Sequence, residues 1–239
     1  MDDYFAFNGR STREFGMVVE SHPNQNAPKR RRTPIEIPGR NGKLHFDEDA
    51  FDNINVEYSV WFRGDVPTPA QAHAVKSWLM SVKGYYPLVD KYDTSHFRLA
   101  SFAGPMNISN ILSRYGKCKI TFDCDPRCFL NDGELPVNLE NSGTIINPTA
   151  FASTPLIRVY GDGEGSVTVA DVTVQILEMT TGMVLDCENE LAYALGDVGQ
   201  NLDSSIYAPI FPKLQPGENR VVFAGGVTAV EIVPRWWEV

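Results

Sequence analysis

Alternation of apolar and polar residues is the clearest pattern in the N-terminal half of the chain. From Asn53 to Arg63 every second residue is apolar, which predicts a strand with one face in a core. The same alternation recurs over Lys117–Asp125. Because proline interrupts a strand ladder, this second strand is expected to stop at Pro126.

One stretch has the period of an amphipathic helix. Thr68 and Gln71 have the spacing of a capping box, which marks a helix start. The apolar positions that follow at helical spacing are Val75, Trp78, Leu79 and Val82. We predict a helix over about residues 68–83, ended by Gly84.

Two hairpins are expected near the N-terminus. Residues 5–9 and 15–19 are typical of a short strand pair. Further along, residues 33–37 and 43–46 flank a turn containing Asn41-Gly42, a dipeptide whose two residues tolerate positive φ. This second hairpin has few apolar residues, so it would gain most by lying on a neighbour. We call residues 28–46 the predicted arm.

The C-terminal part shows short strand patterns separated by turn residues and no helical period. Such spacing is typical of an antiparallel β-sandwich. Residues 130–136 have the composition of a linker. We therefore predict a mainly β chain with two domains, residues 1–134 and 135–239.

Charge is distributed unevenly between these domains. The 239 residues carry a net charge of −9, and from Leu135 onward only four basic residues stand against 13 acidic ones. This balance argues against nucleic-acid binding, which needs a basic surface. No apolar run approaches the roughly 18 residues of a membrane helix, and the acidic N-terminus is unlike a secretory signal. We expect no membrane insertion and folding in a cytoplasm.

No set of residues indicates catalysis or a cofactor. Asp186, Glu188 and Glu190 alternate, as paired glycosidase carboxylates could. The surrounding polarity, Asn189 included, favours instead a strand that ends in a solvated turn. We expect the chain not to be an enzyme and to need no cofactor.

The cysteines are the candidates for a metal site, and the two C-terminal tryptophans are the candidates for a sugar site. Cys118 and Cys124 fall on the core side of a predicted strand and Cys128 in a loop, a pattern that favours ordinary thiols over zinc ligands. Trp236 and Trp237 could stack on a carbohydrate. Alternation along a strand predicts, however, that one ring closes the core while the other faces outward.

Ordered segments along nearly the whole chain resemble one protein family. In the N-terminal part they are Phe7-Asn8-Gly9, Glu14–Val19, Lys29–Arg32, Ile35–Gly42 and Phe51-Asp52-Asn53. Further along they are Trp78-Leu79, Ile120–Pro126, Asn141–Thr144, Thr154–Ile157, Val184–Asn189, Phe211–Asn219 and Ile232–Trp236. In this order they resemble the distal tail protein (Dit) family of long-tailed phages and prophages of Gram-positive bacteria.

The resemblance implies a structural role in a virion. It implies an N-terminal β-sandwich or split-barrel domain with one helix and a protruding hairpin arm, followed by a galectin-like β-sandwich. Six copies would form a ring at the tail tip or baseplate, with a channel through which DNA passes only as cargo. The expected partners are the tail tube protein, the tail-associated tip protein and receptor-binding proteins. The chain would be made in the bacterial host cytoplasm.

The resemblance and the hairpin pattern together suggest which residues meet a neighbouring subunit. The candidates are Arg30, Arg31, Arg32, Ile35, Ile37, Arg40, Leu44 and Phe46. The arginines are expected to meet acids of the next subunit. Two alternatives stay open: a carbohydrate-binding adhesion module that uses Trp236 and Trp237, and a polysaccharide-cleaving tail enzyme.

Overall fold

The computed structural model describes residues 3–24, 26–63, 68–106, 108–111 and 115–239. The chain is mainly β, as predicted. It divides into two compact units: the first comprises residues up to Cys128 together with Val239, and the second spans Phe129–Glu238. The sequence placed the division slightly later, between residues 134 and 135.

The first unit is built on one large sheet. Its strands are β1 (Phe5–Phe7), β2 (Arg10–Ser11), β3 (Met17–Val19), β4 (Arg30–Ile35), β5 (Leu44–Phe51), β6 (Ile54–Phe62), β7 (Tyr86–Asp90), β8 (Asp93–Ser101), β9 (Ile108–Ile111) and β10 (Tyr115–Leu130). The sheet order is β2-β1-β7-β8-β10-β6-β3, and β9 also pairs with β10. Strands β4 and β5 form a separate two-stranded sheet, the observed arm.

The expected pairing of residues 5–9 with 15–19 is wrong. Instead, β1 turns back at once on β2 through Asn8-Gly9, both with positive φ, as a tight hairpin requires. A short 3-10 helix, Thr12–Phe15, follows, with a complete capping box formed by Ser11 and Glu14. Strand β3 then pairs with β6. Long-range pairing therefore overrode the simplest local hairpin.

The alternating segments form the centre of the first unit. Along β6 the residues from Ile54 to Phe62 alternate between buried and more exposed, as predicted. Their partner β10 aligns Phe122 with Val56 and does not stop at Pro126 but continues to Leu130. Proline lacks only the N–H, so a strand can pass through it where that group would have no ladder partner.

The predicted helix, α1, spans Pro69–Met80 and is shorter than expected. Thr68 and Gln71 form its capping box, and Ser81 rather than Gly84 caps its end. Trp78 packs into the aromatic core, where its indole Nε1–H donates to the Phe7 carbonyl at 3.2 Å. In the described part of the chain, no helix has the length and apolar character that a membrane crossing needs.

The second unit is a β-sandwich, as predicted. Its strands are β11 (Val137–Leu139), β12 (Gly143–Asn147), β13 (Leu156–Val169), β14 (Val172–Ile176), β15 (Gly182–Asp186), β16 (Leu191–Ala194), β17 (Asp197–Asn201), β18 (Ile206–Tyr207), β19 (Gly217–Val233) and β20 (Trp237–Glu238). The long strands β13 and β19 pair along most of their length. The first half of β13 also pairs with β15 and the second half with β14.

Glycines allow the two long strands to change direction. The β13–β19 register shifts between Tyr160 and Gly165, and such irregularities bend strands. A Cβ on Gly226 would lie 1.9 Å from the Asp162 carbonyl oxygen, so glycine is required at this approach.

A buried amide holds the loops at one end of the second unit. The Asn147 Nδ2 group donates to the carbonyls of Phe151 at 2.8 Å and Leu214 at 3.0 Å. Its Oδ1 accepts from the Thr149 N–H at 2.9 Å and from the Thr149 hydroxyl at 2.8 Å. All four bonds of this side chain are made, which fixes the loop backbone where no strand does.

Candidate subunit interface

The arm has an apolar face. Its register places Ile35 opposite Leu44 and Thr33 opposite Phe46. Side chains directly opposite each other, and those two residues apart along a strand, share one face of a ladder. Ile35, Leu44 and Phe46 therefore lie together; we call these three residues the apolar face.

This apolar face is open to solvent. The exposed fractions are 44% for Ile35, 45% for Leu44 and 62% for Phe46. Clustered apolar side chains on an exposed strand pair are typical of a surface that another molecule covers. The sequence identified these residues, but the register shows that they share a face.

The opposite face of the arm is polar and carries ion pairs. Arg32 and Asp47 are directly opposite each other, with Arg32 Nε 3.3 Å from Asp47 Oδ2. Arg30 Nη1 lies 3.5 Å from Asp47 Oδ1. Partial burial acts to raise the pKa of Asp47, but the hydrogen bond from the Asp49 N–H and the two arginine charges outweigh it and lower that pKa.

The remaining arginine of the basic run is also paired within the arm. Arg31 Nε lies 2.9 Å from Asp52 Oδ1, and the Asp52 N–H donates to the Lys29 carbonyl at 2.8 Å. The sequence carried a signal for these pairs, since the basic run on one strand is followed by acids on the returning strand. Pairing of the arginines with acids of a neighbouring subunit stays a prediction.

The tip of the arm is a loop rather than a two-residue turn. Strand β4 ends at Ile35 and β5 begins at Leu44. Within the loop the Arg40 N–H donates to the Ile37 carbonyl at 3.1 Å. Gly39 has φ +80°, so Pro38-Gly39 makes a turn in which proline leads and glycine follows. Ile37 and Arg40, both exposed, lie at this tip.

The two C-terminal tryptophans have different surroundings. Trp236 is 6% exposed and belongs to the core of the second unit. Trp237 is half-buried: its ring stacks on Phe151 at 4.5 Å, and its Nε1–H donates to the Ala152 carbonyl at 3.0 Å. Only part of one indole ring is therefore available to a ligand at this position.

The three alternating carboxylates do not share a strand face. Strand β15 ends at Asp186, whose carboxylate accepts from Asn189 Nδ2 and Arg235 Nη1, both at 2.8 Å. Burial acts to raise the pKa of Asp186, but these two hydrogen bonds, the positive charge of Arg235 and the hydrogen bond from the Glu188 N–H together outweigh it and lower that pKa. Glu188 accepts instead from the Thr154 hydroxyl. Asp186 thus caps a turn.

The cysteines of the cores are inert thiols. Cys118, Cys124 and Cys187 are buried. Burial raises the pKa of Cys118 to about 11 and those of Cys124 and Cys187 to about 12, far from the thiolate form that binds metals. Among the described residues, no His, Cys, Asp and Glu side chains are grouped to hold a metal ion.

Comparison with known proteins gives a fold. Neither family models nor curated protein sequences gave a significant match to the chain. Among solved structures, the chain is similar to the Dit protein of phage SPP1, with a TM-score of 0.76 over 100% of both chains and 14% sequence identity. The chain therefore has the Dit fold.

The sequence segments that resemble the Dit family belong to a chain with the Dit fold. The resemblance noted there is confirmed at the level of the fold. The crystal structure of SPP1 Dit is described as a paradigm of the hub adsorption apparatus in phages that infect Gram-positive bacteria. The similarity extends over the full length of both chains.

Proposed function

We propose that this chain is a structural component of a phage tail tip or baseplate and acts there as a hub. One observation carries the proposal: the Dit fold is matched over the full length of both chains rather than over one domain. Because fold alone does not determine function, the proposal also needs a surface through which the chain can assemble. The apolar face of the arm is one such surface.

The hub is a homohexameric ring with a central channel, in which each arm contacts the next subunit. A two-stranded ribbon is marginal alone in water, and this one exposes Ile35, Leu44 and Phe46 together. A head-to-tail contact between identical chains closes into a ring when the rotation between them is right. The apolar face supplies such a contact without a second protein.

The ring joins the tail tube protein to the tail-associated tip protein and the receptor-binding proteins. DNA passes through the channel only as cargo. The chain is made in the bacterial host cytoplasm and works in the virion, and it performs no catalysis. Support for a scaffold role comes from Asp186, which caps a turn, and from Cys118, Cys124 and Cys187, which are buried in the cores.

The first experiment measures the number of copies and the role of the arm. The arm can be excised cleanly because Lys29 and Asp52 already share a main-chain hydrogen bond; a Gly-Ser link replaces residues 30–51. Native mass spectrometry should give a six-copy particle for the full chain and a folded monomer for the excised chain. A full chain that stays monomeric at every concentration would refute the ring.

The second experiment tests the location. The particles come from a phage whose genome encodes the chain. In electron micrographs, antibodies against the purified chain should label one end of the tail. Label on the capsid or along the whole tail would contradict the tail-tip role. A glycan array is run in parallel: sugar binding that is lost in Trp237→Ala would favour the adhesion alternative.

A further inference from the structure

Two Asn-Gly dipeptides occur in the sequence, Asn8-Gly9 and Asn41-Gly42. All four residues are exposed. The main-chain nitrogen of a glycine that follows asparagine can attack the asparagine side chain, because no Cβ obstructs it. Whether it does so in a folded protein depends on how freely the backbone moves, and here the two pairs differ.

Asn8-Gly9 is held in a rigid turn. Phe7 pairs with Arg10 across it, and Asn8 and Gly9 have φ of +49° and +73°. The Asn8 N–H also donates to the Pro87 carbonyl at 3.0 Å, and Phe7 is fully buried. To bring the Gly9 nitrogen to the Asn8 side chain, this corner of the sheet would have to open.

Asn41-Gly42 lies in the loop at the tip of the arm. It sits between the turn at Ile37–Arg40 and the start of β5 at Leu44, outside any strand pair. A Cβ would meet nothing within 4 Å at either Gly9 or Gly42, so the two dipeptides differ in how their backbone is held and not in the space around the glycine. Segments with exposed backbone and few contacts open at little free-energy cost.

We propose that Asn41 is a site of spontaneous deamidation. The Gly42 nitrogen, having lost its proton, forms a bond to Cγ of Asn41; the Cγ–Nδ2 bond breaks and ammonia leaves with the proton. Water then hydrolyses the resulting succinimide at either carbonyl, giving aspartate or isoaspartate. No oxidant, metal or enzyme takes part.

The product changes the chemistry of the tip. A carboxylate appears beside Arg40 and close to Lys43, and isoaspartate also inserts a methylene into the main chain. Deamidation therefore slowly adds negative charge to the tip of the arm. This inference does not depend on the proposed function, because it needs only the loop.

The test compares the two dipeptides within one molecule. The purified full chain is incubated in mildly alkaline buffer, folded or unfolded in guanidinium chloride, and conversion at each asparagine is followed by peptide mass spectrometry. Folding should slow deamidation at Asn8 at least about tenfold, since the turn at Asn8-Gly9 must open first. Where no neighbour covers the arm, folding should change the rate of deamidation at Asn41 by less than about threefold, by the same reasoning.

Two further chains make the outcome decisive. Asn41→Gln should abolish the product at position 41 and leave the rate at Asn8 unchanged. Leu44→Ser with Phe46→Ser is included because a neighbour that covers the arm would also slow the reaction. Equal protection of Asn8 and Asn41 in this double variant would overturn the inference; protection of Asn41 in the unsubstituted chain alone would support it and report assembly.

Discussion

Removing the apolar face should weaken self-association without unfolding the chain. The perturbation is Leu44→Ser together with Phe46→Ser. Leu44 is 45% exposed and Phe46 is 62% exposed. Together these fractions equal about the surface of one whole apolar side chain, which a neighbour can cover. Full burial of one such side chain contributes about 1.5–3 kcal/mol. Each arm contact should therefore weaken about tenfold to a hundredfold.

The assay is the concentration dependence of assembly, followed by mass photometry. The double variant should need a correspondingly higher concentration to form the ring, while its thermal unfolding should shift little, since exposed positions usually change stability by less than about 0.5 kcal/mol. The matched control is Pro34→Ser with His45→Ser, the pair on the opposite face. Equal losses in both variants, or none in the first, would refute the reasoning.

Charge reversal at the basic run is a less selective test. Arg31→Glu and Arg32→Glu would place like charges beside Asp52 and Asp47, which now pair with these arginines. The arm itself would then be destabilised, whatever a neighbour contributes. Serine substitutions on the apolar face avoid this ambiguity because they leave every ion pair of the arm intact.

Three predictions concern stability and are measured by denaturant or pH unfolding. Asn147→Ala should lower the free energy of unfolding by about 4 kcal/mol, about 1 kcal/mol for each of the four hydrogen bonds lost. The control Asn138→Ala, at an exposed position, should lower it by less than about 0.5 kcal/mol. Equal effects of the two substitutions would contradict this. Thr12 is fully buried and its hydroxyl has no hydrogen-bond partner among the described residues, so Thr12→Val should stabilise by about 1 kcal/mol, and a loss would argue against it. The lowered pKa of Asp186 implies stability that is present above its unfolded pKa of about 3.9 and lost as the pH falls through the folded value. Asp186→Asn should flatten that acid limb, and an unchanged limb would count against the assignment.

Local patterns were sufficient to predict much of the first unit. The alternation of β6 and the capping box of α1 report burial and hydrogen bonding within a few residues, so each element was found near its true place. The pairing of β3 with β6 and the passage of β10 through Pro126 were missed. Both depend on partners far away in sequence.

The candidate subunit interface was likewise only partly predictable from the sequence. The sequence indicated a hairpin with Ile35, Leu44 and Phe46 and with a basic run, because composition and alternation are local properties. It could not determine that the acids paired with Arg30, Arg31 and Arg32 are Asp47 and Asp52, since that depends on the strand register.

The chemistry of the side chains and the spacing of apolar residues along the chain were thus enough to determine a mainly β chain with one capped helix and an arm poor in apolar residues. The tertiary structure decided which face of the arm is apolar and which tryptophan is buried. It also decided that Asp186, in the turn that the sequence favoured, is buried and paired with Arg235 rather than solvated. The physical reason is that a one-residue change of register moves every side chain of a strand to the other face. Register is set by contacts between segments far apart in the chain, which no local pattern contains.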